Sequence, residues 1–225
     1  MALIKNAKGR RENQSPSGYN RLFGIPELGQ LMSRIQGTVI SSGTELEKMI
    51  YERATKIDDF DQFVVSGLNT PKAGIWVASK QQVKKSKVIH SVYEPDFLAF
   101  DLIKKECYVI EVKDGDTFDT KKSNSEYVTL HNFTNDISKA LAFSFQIFIC
   151  CFNAKTKEEI HTGLKGKFSL KEILTGQELC ILFKIDHTEI VQTRRNDQPA
   201  NLDYFINELL KIPNIRNMVV KRLKS

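Results

Sequence analysis

The sequence predicts an α/β domain in which helices flank a central mixed β-sheet. Three observations predict it. Two strand-like segments, Phe97 to Phe100 and Cys107 to Lys113, follow each other across the polar turn Lys104-Lys105-Glu106, a connection short enough to imply a hairpin. Apolar residues at three- and four-residue spacing mark helices on either side of that hairpin. Further on, Phe145 to Phe152 is a near-continuous apolar run, the pattern of a strand covered on both faces. No internal repeat and no long linker interrupts the 225 residues, so a single domain over 1–225 is expected.

The elements follow in order. Residues 1–21 are polar and basic, with Lys5, Lys8, Arg10 and Arg11, and read as a flexible arm. A helix is predicted over 27–36 around Leu28, Leu31, Met32 and Ile35, interrupted by Gly37 and by Ser41-Ser42-Gly43. Thr44 then has the look of a helix N-cap, with Glu47 at capping-box spacing, ahead of Leu46, Met49, Ile50, Ala54 and Ile57. Short strands are expected at 63–65 and 75–78, then a basic stretch from Lys80 to Lys87. After the hairpin a helical region starts near Thr120, carrying Tyr127, Leu130, Ile137 and Leu141, with a break near 132–135. Ser169 and Glu172 form another capping-box pair at the head of a helix over 169–174. Leu179 to Ile185 reads as a strand, residues 194–198 as a polar loop, and Leu202 to Ile212 as an amphipathic helix.

Composition narrows the function classes. The chain is 41% hydrophobic and 27% charged, ordinary for a soluble globular protein. Its net charge of +6 and pI near 9.0 suit a polyanionic partner without requiring one. The four cysteines form no C-x-x-C pair, and Cys150 and Cys151 lie within an apolar run, so reduced, buried cysteines and a cytoplasmic location are expected. Scattered histidines make a zinc site unexpected. No apolar stretch approaches the roughly 20 residues that span a bilayer, and the N-terminus lacks the apolar core of a signal peptide.

The chemistry concentrates in Glu94-Pro95-Asp96 and Glu111-Val112-Lys113. An acid-x-Lys triplet is weak by itself. With 27 acids and 24 lysines, about three such triplets are expected by chance, and the chain holds two, the second being Asp119-Thr120-Lys121. Context separates them. Strand alternation puts Glu111 and Lys113 on one face and Tyr108, Ile110 and Val112 on the other. Asp96 opens the neighbouring strand and can reach the same end of the sheet. Two carboxylates there offer hard oxygen ligands suited to Mg²⁺. Such an ion activates water and offsets phosphate charge. The Lys113 ammonium can orient the nucleophile. The plain alternatives are that Asp96 caps a turn and that Glu111 and Lys113 form a solvated strand face.

Pro95-Asp96…Glu111-Val112-Lys113 resembles the signature of the PD-(D/E)xK nuclease superfamily, over roughly residues 44–152. The segments 28–37, 42–47 and 113–122 further resemble type II restriction endonucleases. The resemblance implies a restriction-endonuclease-like core, with Asp96 and Glu111 as metal ligands joined by the Val112 carbonyl, and Lys113 as the catalytic lysine. An acidic residue from the preceding helix often completes such a site, and Glu47 matches it, although its capping-box position explains it equally well. The implied activity is Mg²⁺-dependent hydrolysis of double-stranded DNA at a short specific sequence, leaving 5′-phosphate ends. A homodimer and a cognate DNA methyltransferase are implied too. Lys121 and Lys122 are candidate phosphate contacts or a solvated helix start. Arg194 and Arg195 are candidate base readers or part of an exposed loop. Residues 160–225 are expected to serve recognition or dimerisation. Two rivals stay open: a repair or structure-specific nuclease of the same superfamily, and a non-catalytic DNA-binding protein.

Overall fold

Five strands in sequence order build one mixed sheet in the computed structural model, which describes residues 2–8, 18–66 and 73–225. They are β1 (Ile75–Ser79), β2 (Phe97–Asp101), β3 (Glu106–Lys113), β4 (Ser144–Cys151) and β5 (Ile173–Thr175). The first three run as an antiparallel meander, while β4 and β5 add in parallel. The mixed sheet expected from the hairpin and the later apolar strand is thus present. The hairpin turn is set by Asp101, whose Oδ1 accepts from the amides of Ile103 and Lys104, and by Lys105 in the left-handed region at φ 55°. Only the last three residues of β4 are fully buried, so the covering of that strand is partial.

The helices in chain order are α1 (Gly18–Phe23), α2 (Pro26–Arg53), α3 (Phe60–Ser66), α4 (Lys80–Lys85), α5 (Thr120–Ile137), α6 (Lys157–Gly163), α7 (Gly176–Phe183), α8 (His187–Asn196), α9 (Gln198–Lys211) and α10 (Pro213–Leu223). By contacts the chain divides into two compact units. One is Glu47–His187, with the whole sheet; the other joins Met1–Leu46 to Thr188–Ser225.

Several expectations are corrected. The break at Gly37 and Ser41–Gly43 is absent, and α2 runs unbroken for 28 residues. Its hydroxyl side chains bond back to carbonyls one turn earlier: Ser33 to Gly29, Thr38 to Arg34 and Ser41 to Gly37. They therefore follow the helix rather than compete with it. Gly37 has a packing reason instead, because a β-carbon there would lie 3.0 Å from the Lys8 carbonyl oxygen. Thr44 is consequently no N-cap.

The strand expected at 63–65 is the helix α3, capped by Asp59, whose Oδ1 accepts from the Gln62 amide at 2.9 Å. Phe60, Phe63 and Val64 fall on one helical face, and Phe63 meets Phe100 edge-on at 5.5 Å. The strand expected at 179–185 is α7, started by Thr175 and Glu178 and ended by Lys184 at φ 57°. The Ser169–Glu172 pair opens a single 3-10 turn, after which the chain enters β5 rather than a helix. The loop expected at 194–198 lies on α8 and the start of α9. No break occurs in α5 near 132–135. The expected arm at 1–21 falls in part outside the described residues; of the rest, Ile4 is buried and residues 18–21 begin α1.

Within the sheet-bearing unit, Leu98, Phe100 and Val109 pack against Leu130, Phe133 and Ile137 of α5 on one face. On the other face Phe97 lies 6.5 Å from the Tyr51 ring and 5.8 Å from Phe183. All four cysteines are free and buried. No helix among the described residues is long and apolar enough to cross a membrane.

Candidate active site

The site begins where the β2–β3 ladder ends. The last pair is Phe97 with Ile110, so Val112 extends past the β2 strand. Its amide instead donates to Asp96 Oδ2 at 2.9 Å. Strand geometry turns the Val112 carbonyl to the same side as its amide. Pro95 is buried and fixes the backbone just before β2, and Asp96 is 3% exposed. The carboxylate is held by the strand it faces rather than by solvent. Alternation then places Glu111 and Lys113 on the face of Val109, over α5.

Lys113 Nζ bridges two carboxylates, at 2.6 Å from Glu111 Oε1 and 2.8 Å from Glu126 Oε1. Burial works against its charge, but Glu111 and Glu126 outweigh that and hold its pKa above the ordinary lysine value. Glu111 is shifted upward although Lys113 pulls it down, because burial and the neighbouring Asp96 charge are stronger. Glu47, on α2, is pushed up to about 7, first by burial and then by Asp96. With the capping box gone, helix initiation no longer accounts for Glu47. Its carboxylate interacts electrostatically with Asp96, Lys80 and Lys113.

Two residues of the cluster are absent from the sequence-based set. Lys80 opens α4, donates its amide to the Asp96 carbonyl at 2.9 Å and brings Nζ within 3.3 Å of Asp96 Oδ1. It was visible only as one residue of a basic run. Glu126 lies on the α5 stripe that carries Leu130, Phe133 and Ile137, at four- and three-residue steps. A carboxylate on an otherwise buried stripe was a readable signal. Glu126 touches the Lys113 ammonium and no other residue of the cluster in the described ion pairs. On the catalytic role that the resemblance implies for Lys113, Glu126→Gln is expected to lower kcat about tenfold with little change in KM or thermal stability. Steady-state cleavage kinetics beside a melting curve check this, and an unchanged kcat refutes it.

The second acid-x-Lys triplet has a structural explanation. Asp119 caps α5, its Oδ1 accepting from the Lys122 amide at 2.8 Å. Lys121 and Lys122 are exposed on the first turn of α5, and Lys122 Nζ lies 5.0 Å above the Phe118 ring. The loop between Lys113 and Asp119 is anchored: Asn153 donates to the Asp114 carbonyl at 2.7 Å, and Phe118 donates to the Gly163 carbonyl. Gly163 must lack a side chain, since a β-carbon would sit 1.9 Å from the Asp116 carbonyl oxygen. In the other unit, Arg194 is buried on α8 and donates to Ser42 Oγ at 2.9 Å, which corrects its placement in an exposed loop. A guanidinium used this way braces the packing of α8 on α2. Arg195 is exposed on the same helix.

The donor chemistry fits a hard divalent ion. Asp96, Glu111 and the Val112 carbonyl are the oxygen donors that would hold such an ion. The Asp96 charge raises both Glu47 and Glu111, so these carboxylates repel one another in a way that a dication relieves. Among the described residues no group of three or more His, Cys, Asp or Glu side chains is gathered to hold a metal ion. Ammonium groups lie against the same oxygens instead, Lys80 on Asp96 and Lys113 on Glu111.

Comparison with known proteins bears on what such a cluster serves. No protein-family profile and no solved structure matches the chain. The chain is 44% identical, over 227 aligned positions, to the type II restriction enzyme HhaII of Haemophilus parahaemolyticus, covering 98% of this chain and 99% of that enzyme. With identity of that degree over nearly the full length of both proteins, the chain belongs to the type II restriction enzymes.

Proposed function

We propose that this restriction endonuclease hydrolyses both strands of duplex DNA from a PD-(D/E)xK-type site made of Asp96, Glu111 and Lys113, with Glu47 beside them. The observation that carries the reading is the Val112 amide bond to Asp96, which supports one carboxylate at the same strand end as Glu111 and Lys113. Mg²⁺ held by Asp96, Glu111 and the Val112 carbonyl would polarise the scissile phosphate and lower the pKa of the attacking water. Lys113 orients that water and offsets the charge that builds on the phosphate oxygens. Water oxygen bonds to phosphorus, the bond to the 3′ oxygen breaks, and the products carry 5′-phosphate and 3′-hydroxyl ends. Glu126 holds the Lys113 ammonium in position, and burial of the cluster strengthens each of these charge interactions.

Lys121, Lys122 and Arg195 are proposed DNA contacts, the lysines to phosphates and Arg195 to bases or backbone. A palindromic target would pair two copies of the chain about a two-fold axis. Residues 160–225 would carry recognition or pairing, and a methyltransferase of the same system would protect host DNA in the cytoplasm. Digestion of a sequenced plasmid with Mg²⁺ tests the reading. The expected result is a set of discrete bands whose ends map to one short sequence. A smear, or cutting of branched DNA alone, would favour the repair-type nuclease instead.

A further inference from the structure

Asp96 is held from both sides by unlike partners. Its Oδ2 is fixed by a backbone amide, and its Oδ1 faces the Lys80 ammonium at 3.3 Å. The two partners differ in what can dislodge them. The Val112 amide belongs to the end of a strand and moves only with the sheet. The Lys80 side chain is 43% exposed on a flexible four-carbon stem, while the carboxylate it meets is almost wholly buried. The base of that stem is nonetheless fixed. Lys80 is the first residue of α4, its amide is tied to the Asp96 carbonyl, and the Gln82 side chain accepts from the Ser79 amide at the helix start.

The surrounding charge is unbalanced. Glu47, Asp96, Glu111 and Glu126 gather around Lys80 and Lys113, four carboxylates against two ammonium groups. Lys113 is committed to Glu111 and Glu126 at short distances and is the less exposed of the two lysines, at 18%. Lys80 makes the longer, looser contact at the solvent side. A divalent cation that takes Asp96 Oδ1 meets that ammonium, and two cations on one oxygen repel. Either partner can neutralise Asp96, but both cannot do so together.

We propose that Lys80 is a tethered counter-ion that occupies Asp96 in the metal-free enzyme and must leave it when a divalent cation binds. This rests on the reading of Asp96 as a metal ligand. Lys80 is a positioning residue in this scheme: it keeps Asp96 paired without metal and sets how much cation the site demands before it loads.

The test is direct binding of Mn²⁺ alone to the full-length protein, read by the loss of the free-ion electron paramagnetic resonance signal, without DNA or turnover. Lys80→Gln and Lys80→Ala remove the charge, and Lys80→Arg keeps it. The uncharged variants should bind Mn²⁺ about tenfold more tightly than the wild type, the scale expected for removing one unit charge a few ångströms from a dication in a wet site. Lys80→Arg should bind as the wild type does. Uncharged variants that bind no more tightly than the wild type overturn the proposal. Asp96→Asn separates this from the underlying site assignment. If that variant binds Mn²⁺ like the wild type, the ligand assignment itself fails. If it loses binding while Lys80→Gln matches the wild type, the counter-ion role alone fails.

Discussion

Replacing Lys113 by alanine should leave binding to the target DNA intact and slow Mg²⁺-dependent cleavage at least ~100-fold, the scale of losing one preorganised charge at the reacting phosphate. The Lys113 ammonium is 2.6 Å from Glu111 and 2.8 Å from Glu126, so its position is determined by two carboxylates on different elements. No other ammonium touches Glu111 in the described contacts, and the Lys80 ammonium lies against Asp96 instead. Alanine leaves Glu111 buried beside Asp96 without its cation. A falling cleavage rate with an unchanged gel shift is the expected pattern. A variant that fails to bind DNA would make Lys113 a binding residue instead.

Asp96→Asn should be costlier still, with cleavage reduced on the order of 10³-fold, because in the proposed site it removes a carboxylate ligand and with it charge stabilisation worth several kcal/mol at the phosphate. The substitution is nearly isosteric. The asparagine carbonyl can still accept from the Val112 amide, so the strand end keeps its main bond. The negative charge that Lys80 faces at 3.3 Å disappears, and so does one oxygen donor. With one carboxylate charge removed, binding of polyanionic DNA in the absence of metal should hold or tighten. Filter binding in chelator and a cleavage time course read the two effects separately. Parallel loss of binding and cleavage would point to misfolding, which a melting curve would reveal.

The parts of this fold that were legible in the sequence are those decided locally. The hairpin was readable because two strand-like segments, Phe97 to Phe100 and Cys107 to Lys113, flank a short polar turn, and side chains in a strand follow a two-residue alternation. That alternation correctly put Glu111 and Lys113 on one face. The misread elements are apolar runs whose period is ambiguous. Phe63-Val64-Val65 and the run from Leu179 to Phe183 resemble strands, yet Asp59 caps the first helix and the Thr175–Glu178 pair starts the second. Those caps, weighed above β-branched content, would have corrected both. In α2 the opposite error arose: Gly37, Ser41 and Ser42 read as punctuation, whereas the hydroxyls of Ser33, Thr38 and Ser41 bond along the helix.

The site shows the same division. Asp96 stands just before β2, and Glu111 and Lys113 stand on the paired strand β3, so their spacing carried their proximity. Glu47 could not be placed, because whether it caps a helix depends on where α2 begins, and that start lies 21 residues earlier at Pro26. Lys80 was out of reach for a different reason: its place follows from the pairing of β1 with β2, which ties the Lys80 amide to the Asp96 carbonyl. Arg194 shows how a charged residue misleads in isolation. Two adjacent arginines among polar neighbours suggest an exposed loop, but one of them is buried against Ser42.

The proposed function stands or falls on whether DNA is cut at the end of the β2–β3 strand pair. A single comparison tests it most directly: cleavage of one sequenced plasmid by the wild type, Asp96→Asn and Lys113→Ala over a Mg²⁺ titration, with binding of a fragment bearing the mapped site measured on the same preparations. The expected result is discrete Mg²⁺-dependent cutting by the wild type, and two variants that hold the fragment but scarcely cut it. Cutting by either variant within a few-fold of the wild type would contradict it.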